Sequence, residues 1–187
     1  SNGKYLGTGF INNNSKIRIR IISTNFNDNF DDDFWYRRVK YAWEYRKTVM
    51  GKDINNCRII FGESDQFPGL TIDRFNDILV AQSLSLGIDN IKDKIYNMIF
   101  KILKDDNQNI VGIYERNDSS IRKLEGLEEY KGYYKLNDVD IPNYVITTIE
   151  ENGIKYNVDV ENGQKTGYFL DQKYNRLAVA KIAKNKK

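Results

Sequence analysis

The sequence predicts an α+β protein with incomplete sheet edges, on three observations: an alternating apolar and basic run near the start, strand-like segments grouped around one long amphipathic helix in the middle, and a hairpin signature at Asn152-Gly153. Residues 17–22, Ile-Arg-Ile-Arg-Ile-Ile, have the period of two that sets one face of a strand on a core. The glycine-punctuated stretch 5–11 is the natural partner. Two strands bury too little to stand alone, so a sheet completed elsewhere is expected.

Residues 25–33 form an Asn/Asp-rich linker, with Asp31, Asp32 and Asp33 placed to cap a following helix. Over 34–49, Trp35, Val39, Ala42, Trp43, Arg46 and Val49 recur at helical spacing, with Arg37, Arg38, Lys40 and Lys47 on other faces. Such a mixture of rings and cations suits contact with RNA phosphates, but an amphipathic connector with a solvated charged side is the preferred reading.

Three strands follow at 58–61, 70–74 and 78–84, separated by turn chemistry that includes Pro68-Gly69. Ile88, Ile91, Ile95, Met98, Ile99 and Ile102 then mark one helix over 88–104. A strand is expected at 110–115, and 116–135 reads as polar and irregular. Residues 145–160 alternate on both sides of Asn152-Gly153, a pair that accepts the positive φ angles of a type I′ turn, so a hairpin is predicted. Ile154, Tyr156, Val158 and Val160 would share one face, and Lys155, Asn157 and Asp159 the other. A glycine-flanked loop, an apolar step at 168–170 and a helix beginning near Asp171 close the chain. That helix runs into Lys184-Asn-Lys-Lys187 where a core strand is expected to follow, and Ser1-Asn2-Gly3 reads as a cleavage scar, so both ends are expected to be cut from something longer.

Composition narrows the chemistry. With 29 Lys and Arg against 26 Asp and Glu, a net charge of +3 makes no global field, so any nucleic-acid contact has to be local. The single cysteine, Cys57, excludes an intramolecular disulfide and a multi-cysteine zinc site, and the absence of histidine removes Ser-His and Cys-His pairs and His-ligated metals. No metal partner is expected. Nothing approaches the roughly 20 apolar residues that span a bilayer, so no membrane partner is expected either, and the cytoplasm is the expected compartment.

Two stretches carry more. The first is Phe61-Gly-Glu-Ser-Asp-Gln-Phe-Pro-Gly-Leu-Thr-Ile-Asp-Arg74, and the second is Gly163-Gln-Lys-Thr-Gly-Tyr-Phe-Leu-Asp-Gln172 with Asn175 and Arg176 behind it. In this order, with Tyr114-Glu-Arg-Asn-Asp118, Glu125-Gly-Leu127 and Glu151-Asn-Gly153 between them, they make the chain resemble the class I S-adenosylmethionine-dependent rRNA (cytosine-C5) methyltransferases of large-subunit rRNA. Members of that family combine a PUA domain, a central α+β domain and a Rossmann-like methyltransferase domain. The resemblance implies that 1–24 is the C-terminal remnant of a PUA domain and 25–55 a linker and connector helix. Residues 56–150 would be the central domain, with strands paired around one long helix, and 151–187 the hairpin and helix opening a truncated methyltransferase domain.

It also implies rRNA as partner, S-adenosylmethionine as cofactor of the parent enzyme, and a catalytic cysteine beyond Lys187, leaving no catalytic residue in this chain and an inactive fragment. Lys165, Thr166, Asp171, Gln172 and Arg176 are the implied cofactor-facing residues, offering a cation, a hydroxyl, an acceptor and an amide to a zwitterionic ligand. The ordinary structural reading makes Asp171 a helix cap and gives Arg176 an acidic partner. Glu63, Asp65, Arg74 and Arg116 are the substrate-binding candidates, beside Glu115. Against that stand a turn at Pro68-Gly69 and a local Asp73–Arg74 ion pair. Cys57, at the edge of an apolar strand, is read as a small core residue. The rivals to an enzyme fragment are a non-catalytic RNA- or ribosome-binding module and a purely structural linker.

Overall fold

The computed structural model describes residues 3–183, so the readings of Ser1-Asn2 and of the charged tail from Lys184 lie outside the described residues. The first two strands, β1 (Thr8–Ile11) and β2 (Ile19–Ser23), pair antiparallel with a bulge between Thr8 and Gly9. The alternating isoleucines are not the face that meets the rest of the described residues. Ile17, Ile19 and Ile21 face outward, while Ile22 and the Arg20 side chain turn toward the rest of the molecule. The cause is a buried carboxylate, Glu125, which takes Arg20 at 3.0 Å and Asn12 at 3.0 Å and also accepts from Ser15. The face carrying the basic residue is therefore the docked one. Phe10 stacks on Trp35 at 6.3 Å between centroids and completes the contact.

Helix α1 (Asp32–Met50) begins where the acidic run ends, with the Asp31 side chain accepting from the Phe34 amide at 2.9 Å. Its buried stripe is Phe34, Trp35, Val39, Ala42, Trp43 and Arg46, and Val49, expected on that stripe, is exposed. The central sheet has the order β3-β4-β5-β6-β7, from β3 (Asn56–Phe61), β4 (Leu70–Phe75), β5 (Ile78–Ser83), β6 (Gly112–Asn117) and β7 (Tyr130–Tyr133). All neighbours are antiparallel except β5 and β6, whose parallel pairing requires a crossover.

Two helices rather than one make that crossover, α2 (Leu86–Asp89) and α3 (Lys92–Asp105). The break falls at Ile91, whose φ of −119° and ψ of 2° leave the helical region. The Asp89 carboxylate is held by Arg122 at 2.9 Å, which fixes α2 separately from α3. The isoleucine spacing still marks the core, with Ile88, Ile95, Ile99 and Ile102 all buried. The region expected to be irregular contains the end of β6, a short helix α4 (Ile121–Leu124) and β7. Glu115, Arg116 and Asn117 are buried strand residues whose polarity masks the strand pattern, each satisfied by a specific partner.

The sheet is covered on both faces. Helices α1 and α3 lie over Cys57, Ile59, Ile72, Leu79 and Ile113 on one side. On the other, the hairpin β8 (Ile146–Glu151) and β9 (Ile154–Asp159) packs Ile149, Val158 and Val160 onto Phe75, Ile78, Val80 and Tyr114. Its turn is as expected, with φ of 55° at Asn152 and 80° at Gly153. The inward face begins later than the alternation implies, since Ile154 at the tip is exposed while Val158 and Val160 are buried. A 3-10 turn (Leu170–Gln172) then leads into α5 (Lys173–Ile182). Among the described residues no helix is long and apolar enough to cross a membrane.

Candidate cofactor-facing loop

The passage after β9 is held close to the sheet by its own turns. The Asp159 carboxylate accepts from the amides of Glu161 and Asn162, both at 2.9 Å, and the Gly163 amide donates to the Asp159 carbonyl at 3.0 Å. A Cβ on Gly163 would lie 2.4 Å from the carbonyl oxygens of Asp159 and Gly167, so only glycine fits. The chain reverses at once, with the Gly167 amide on the Gln164 carbonyl at 2.8 Å and Lys165 at a φ of 54°.

Three buried ties fix this loop. The Thr166 hydroxyl donates to the Asp73 carboxylate at 2.6 Å, and the same carboxylate takes Arg58 through two bonds at 2.7 and 2.9 Å. That fork holds the Arg58 guanidinium charged, its pKa raised by the hydrogen bonds to Asp73. Arg116 donates to the carbonyls of Val160 at 3.1 Å and Gly163 at 2.9 Å while resting on Asp118 at 3.1 Å. Arg176 grips the buried Glu151 at 2.7 and 2.8 Å and the Phe169 carbonyl at 2.8 Å, and the bonds to Glu151 raise its pKa. Lys173 adds an ion pair with Asp53.

What these ties leave outward is a small polar group. Lys165 and Asp171 stand 3.6 Å apart and exposed, with the ammonium 4.5 Å from the centre of the Phe169 ring. Gln172 donates to Asp171 at 3.2 Å, and this bond, with Lys165 nearby, holds the Asp171 carboxyl below its ordinary range. Beside them opens a cavity of about 550 Å³ between the second half of α1, β3 and residues 165–174. Tyr45, Val49, Met50, Phe61 and Leu170 supply its apolar surface. Its size and mixed lining are those of a small-molecule site.

The cofactor-facing candidates therefore divide. Lys165 and Asp171 reach the open side, Gln172 is half-buried between Asp171 and Asn175, and Thr166 and Arg176 are anchors turned to Asp73 and Glu151. Asp171 does not cap α5, whose first residue is Lys173. The substrate candidates do not converge. Arg74 lies buried on the helix face, bonded to the Asn76 carbonyl and to Gln108, both at 2.8 Å, whereas Arg116 lies buried on the hairpin face. The local Asp73–Arg74 pair is absent because adjacent strand residues point to opposite faces. Asp65 is committed to Arg46 at 2.6 Å and the Phe61 amide at 2.7 Å, and Glu63 is an exposed side chain 3.7 Å from Arg20. Glu115 accepts from Lys92 at 3.1 Å on the helix side. Burial pushes the Cys57 thiol up to about 12, as befits a core residue. Among the described residues no group of three His, Cys, Asp or Glu is placed to hold a metal ion. Arg58, Glu151, Tyr45 and Phe61 were not among the expected site residues, although Phe61 and Glu151 fall within the quoted stretches. For Arg58 a signal existed, since the register sets it directly opposite Asp73.

Comparison with known proteins bears out the resemblance carried by the two motifs. Residues 1–24 match the PUA-like domain family. Over 187 residues the chain is 38% identical to the ribosomal RNA large subunit methyltransferase I of Aliivibrio fischeri, covering all of this chain and 45% of that protein. It is 39% identical over 184 residues to the protein of the same name from Alteromonas mediterranea, covering 98% of this chain and 44% of that one. The chain thus spans less than half the length of the curated relatives it matches. Among solved structures, a protein of Streptococcus mutans described as a SAM-dependent methyltransferase superposes with a TM-score of 0.68 at 23% identity, over 93% of this chain and 42% of that one. A methyltransferase solved with SAH gives 0.67 at 24% identity, over 91% and 40%. Both share the fold of this chain.

Proposed function

We propose that this chain is the RNA-positioning part of an S-adenosylmethionine-dependent methyltransferase that modifies C5 of a cytosine in large-subunit rRNA, working in the cytoplasm. Residues 1–24 would close a PUA domain, 25–55 connect it to the central domain at 56–150, and 151–187 open the methyltransferase domain. The observation that carries the proposal is the loop at 163–176. Buried Asp73 and Glu151 fix it from below, while Lys165 and Asp171, paired among the described residues only with each other and with Gln172, line a cavity of about 550 Å³.

Those residues fit part of the cofactor. An exposed ammonium and carboxylate 3.6 Å apart can exchange their mutual pairing for the carboxylate and ammonium of an amino-acid tail. Gln172 adds an amide, and the flanking apolar surface accepts the uncharged remainder. When bound, the group supplies a methyl activated on a sulfonium. The residues here bind and orient one side of it, and Thr166 and Arg176 keep the loop from drifting. The family's catalytic thiol is expected outside this chain, so the chain alone should neither transfer a methyl group nor hold the cofactor tightly.

The test uses the full-length gene product with radiolabelled S-adenosylmethionine and unmodified large-subunit rRNA. Label recovered in 5-methylcytosine after nuclease digestion supports the proposal, and label in another base, or none in RNA, overturns it. Titration calorimetry of this chain alone with S-adenosylhomocysteine should give no micromolar binding.

A further inference from the structure

The outward face of α1 carries Arg37, Tyr41 and Tyr45 four residues apart, hence in one line, each step rising about 6 Å along the axis. Tyr41 is 68% exposed and Tyr45 58%. Phe61, at the end of β3 and 53% exposed, lines the same cavity as Tyr45. Rings of this size in solvent are not core material, and no other element among the described residues covers them.

Cations back two of the three rings. The Arg46 guanidinium lies 5.0 Å from the centre of Tyr45, and that of Arg58 lies 5.0 Å from the centre of Phe61. Arg38 and Tyr41 border a hollow of about 180 Å³. Arg46 and Arg58 are themselves pinned, to Asp65 and Asp73, so they back the rings from a fixed position. Arg37, Arg38 and Lys40 form no ion pair among the described residues, though Arg38 also donates to the Gln66 carbonyl at 2.9 Å. Of the acids nearby, Glu44 is taken by Lys47 at 3.0 Å and Asp65 by Arg46 at 2.6 Å, which leaves Asp33 against three cations. The face is left positive.

We propose that Tyr41, Tyr45 and Phe61 form a stacking track for unpaired bases of an RNA strand, with Arg37, Arg38 and Lys40 holding its phosphates, and that the track leads the strand to the cavity beside Lys165 and Asp171. It rests on the RNA-directed reading above and assigns that reading a surface. The chemistry selects the occupant. Aromatic faces take any base and interleaved cations follow a flexible backbone, whereas a protein partner is ordinarily met by a continuous apolar centre with charges confined to the rim.

The experiment is fluorescence anisotropy of this chain with a labelled, unstructured oligoribonucleotide of about 12 nucleotides. Alanine at Tyr41, Tyr45 or Phe61 should each weaken binding about 5- to 150-fold, while Tyr41→Phe and Tyr45→Phe, which keep the ring, should leave it nearly unchanged. Replacing Arg37 and Lys40 together should flatten the slope of log affinity against log salt by about 1.4. Crosslinks from 4-thiouridine in the same strand should map to α1 and to the end of β3. These side chains are exposed, so the melting temperature serves as a check that the variants fold. Unchanged affinity in all three alanine variants, or loss on Phe26→Ala instead, overturns the track and leaves the methyltransferase reading standing. No RNA binding even at low salt also overturns the track, and methyl transfer by the full-length gene product then decides the wider reading separately. Association of the chain with itself that is abolished by Tyr41→Ala would assign the face to a second copy and likewise overturn it.

Discussion

Replacing Thr166 by valine removes one hydroxyl and almost nothing else, which makes it the sharpest probe of how the candidate loop is held. Thr166 is 1% exposed, and its hydroxyl donates at 2.6 Å to a carboxylate that is itself fully buried. A hydrogen bond to a charged group contributes about 1.5–3 kcal/mol. Asp73 keeps both bonds from Arg58, so it is not left bare and the cost should stay in that range. For a chain of this length each kcal/mol moves the melting temperature about 2–4 °C, so Thr166→Val should lower it by about 3–12 °C. Thr166→Ser keeps the hydroxyl and loses one methyl group, about 0.8 kcal/mol and hence roughly 2–3 °C. Calorimetric melts supply the comparison, and amide exchange should show residues 163–167 opening faster in the valine variant only. Equal melting temperatures for valine and serine, with unchanged exchange, would refute the claim that Asp73 positions the loop.

Further expectations follow from the same geometry. Arg176→Met strands Glu151 in a buried site, and breaking such a pair costs about 3–5 kcal/mol, so α5 should exchange its amides faster and Glu151→Gln should relieve much of the loss. Cys57 is buried with its thiol raised to about 12, so it should react with an aromatic disulfide reagent at pH 8 only once urea unfolds the chain, and Cys57→Ala should leave methyl transfer by the full-length gene product intact. Burial works to raise the Glu125 pKa, but bonds from Ser15, Asn12 and Arg20 outweigh it and hold it below its ordinary 4.5. With a depressed folded value, its stabilisation is present above pH 4.5 and fades as pH falls through the lower folded value, so docking of the β1–β2 pair, followed by Trp35 fluorescence, should weaken in acid in a way Glu125→Gln abolishes.

The parts of the fold legible in the sequence are those whose burial follows one local period. The isoleucines of α3 answer to a single neighbouring layer, the Asn152-Gly153 turn to its own φ angles, and β5 stands out as the continuous apolar run of a strand covered on both faces. Legibility fails where polar groups are buried against distant partners. Arg116 and Asn117 read as loop, yet they complete β6 because the Gly163 carbonyl and the Ser83 amide wait for them. The hydrophobic pattern of the β1–β2 pair could not show which face meets the central domain, since Glu125, more than a hundred residues later, takes the face bearing Arg20. The site behaves the same way. The motif at 163–172 marked the right segment, but composition could not say that Thr166 and Arg176 point inward while Lys165 and Asp171 point out. That division is set by Asp73, 93 residues before Thr166, and by Glu151, 25 residues before Arg176.

Arg58 joins the two proposed surfaces. Its carbonyl accepts from Arg46 of α1 at 2.6 Å, its guanidinium backs the Phe61 ring, and its fork holds the carboxylate on which Thr166 hangs. A displacement of α1 would therefore reach the 163–167 loop through one side chain and one strand, each link a direct hydrogen bond. Such a connection is stiff rather than switch-like, because each member is buried or doubly bonded and offers no second arrangement. The physical consequence is alignment: RNA seated on Tyr41 and Tyr45 and a ligand seated against Lys165 and Asp171 would be held in one frame, which is what a bond-forming site requires of parts contributed by separate elements of a chain.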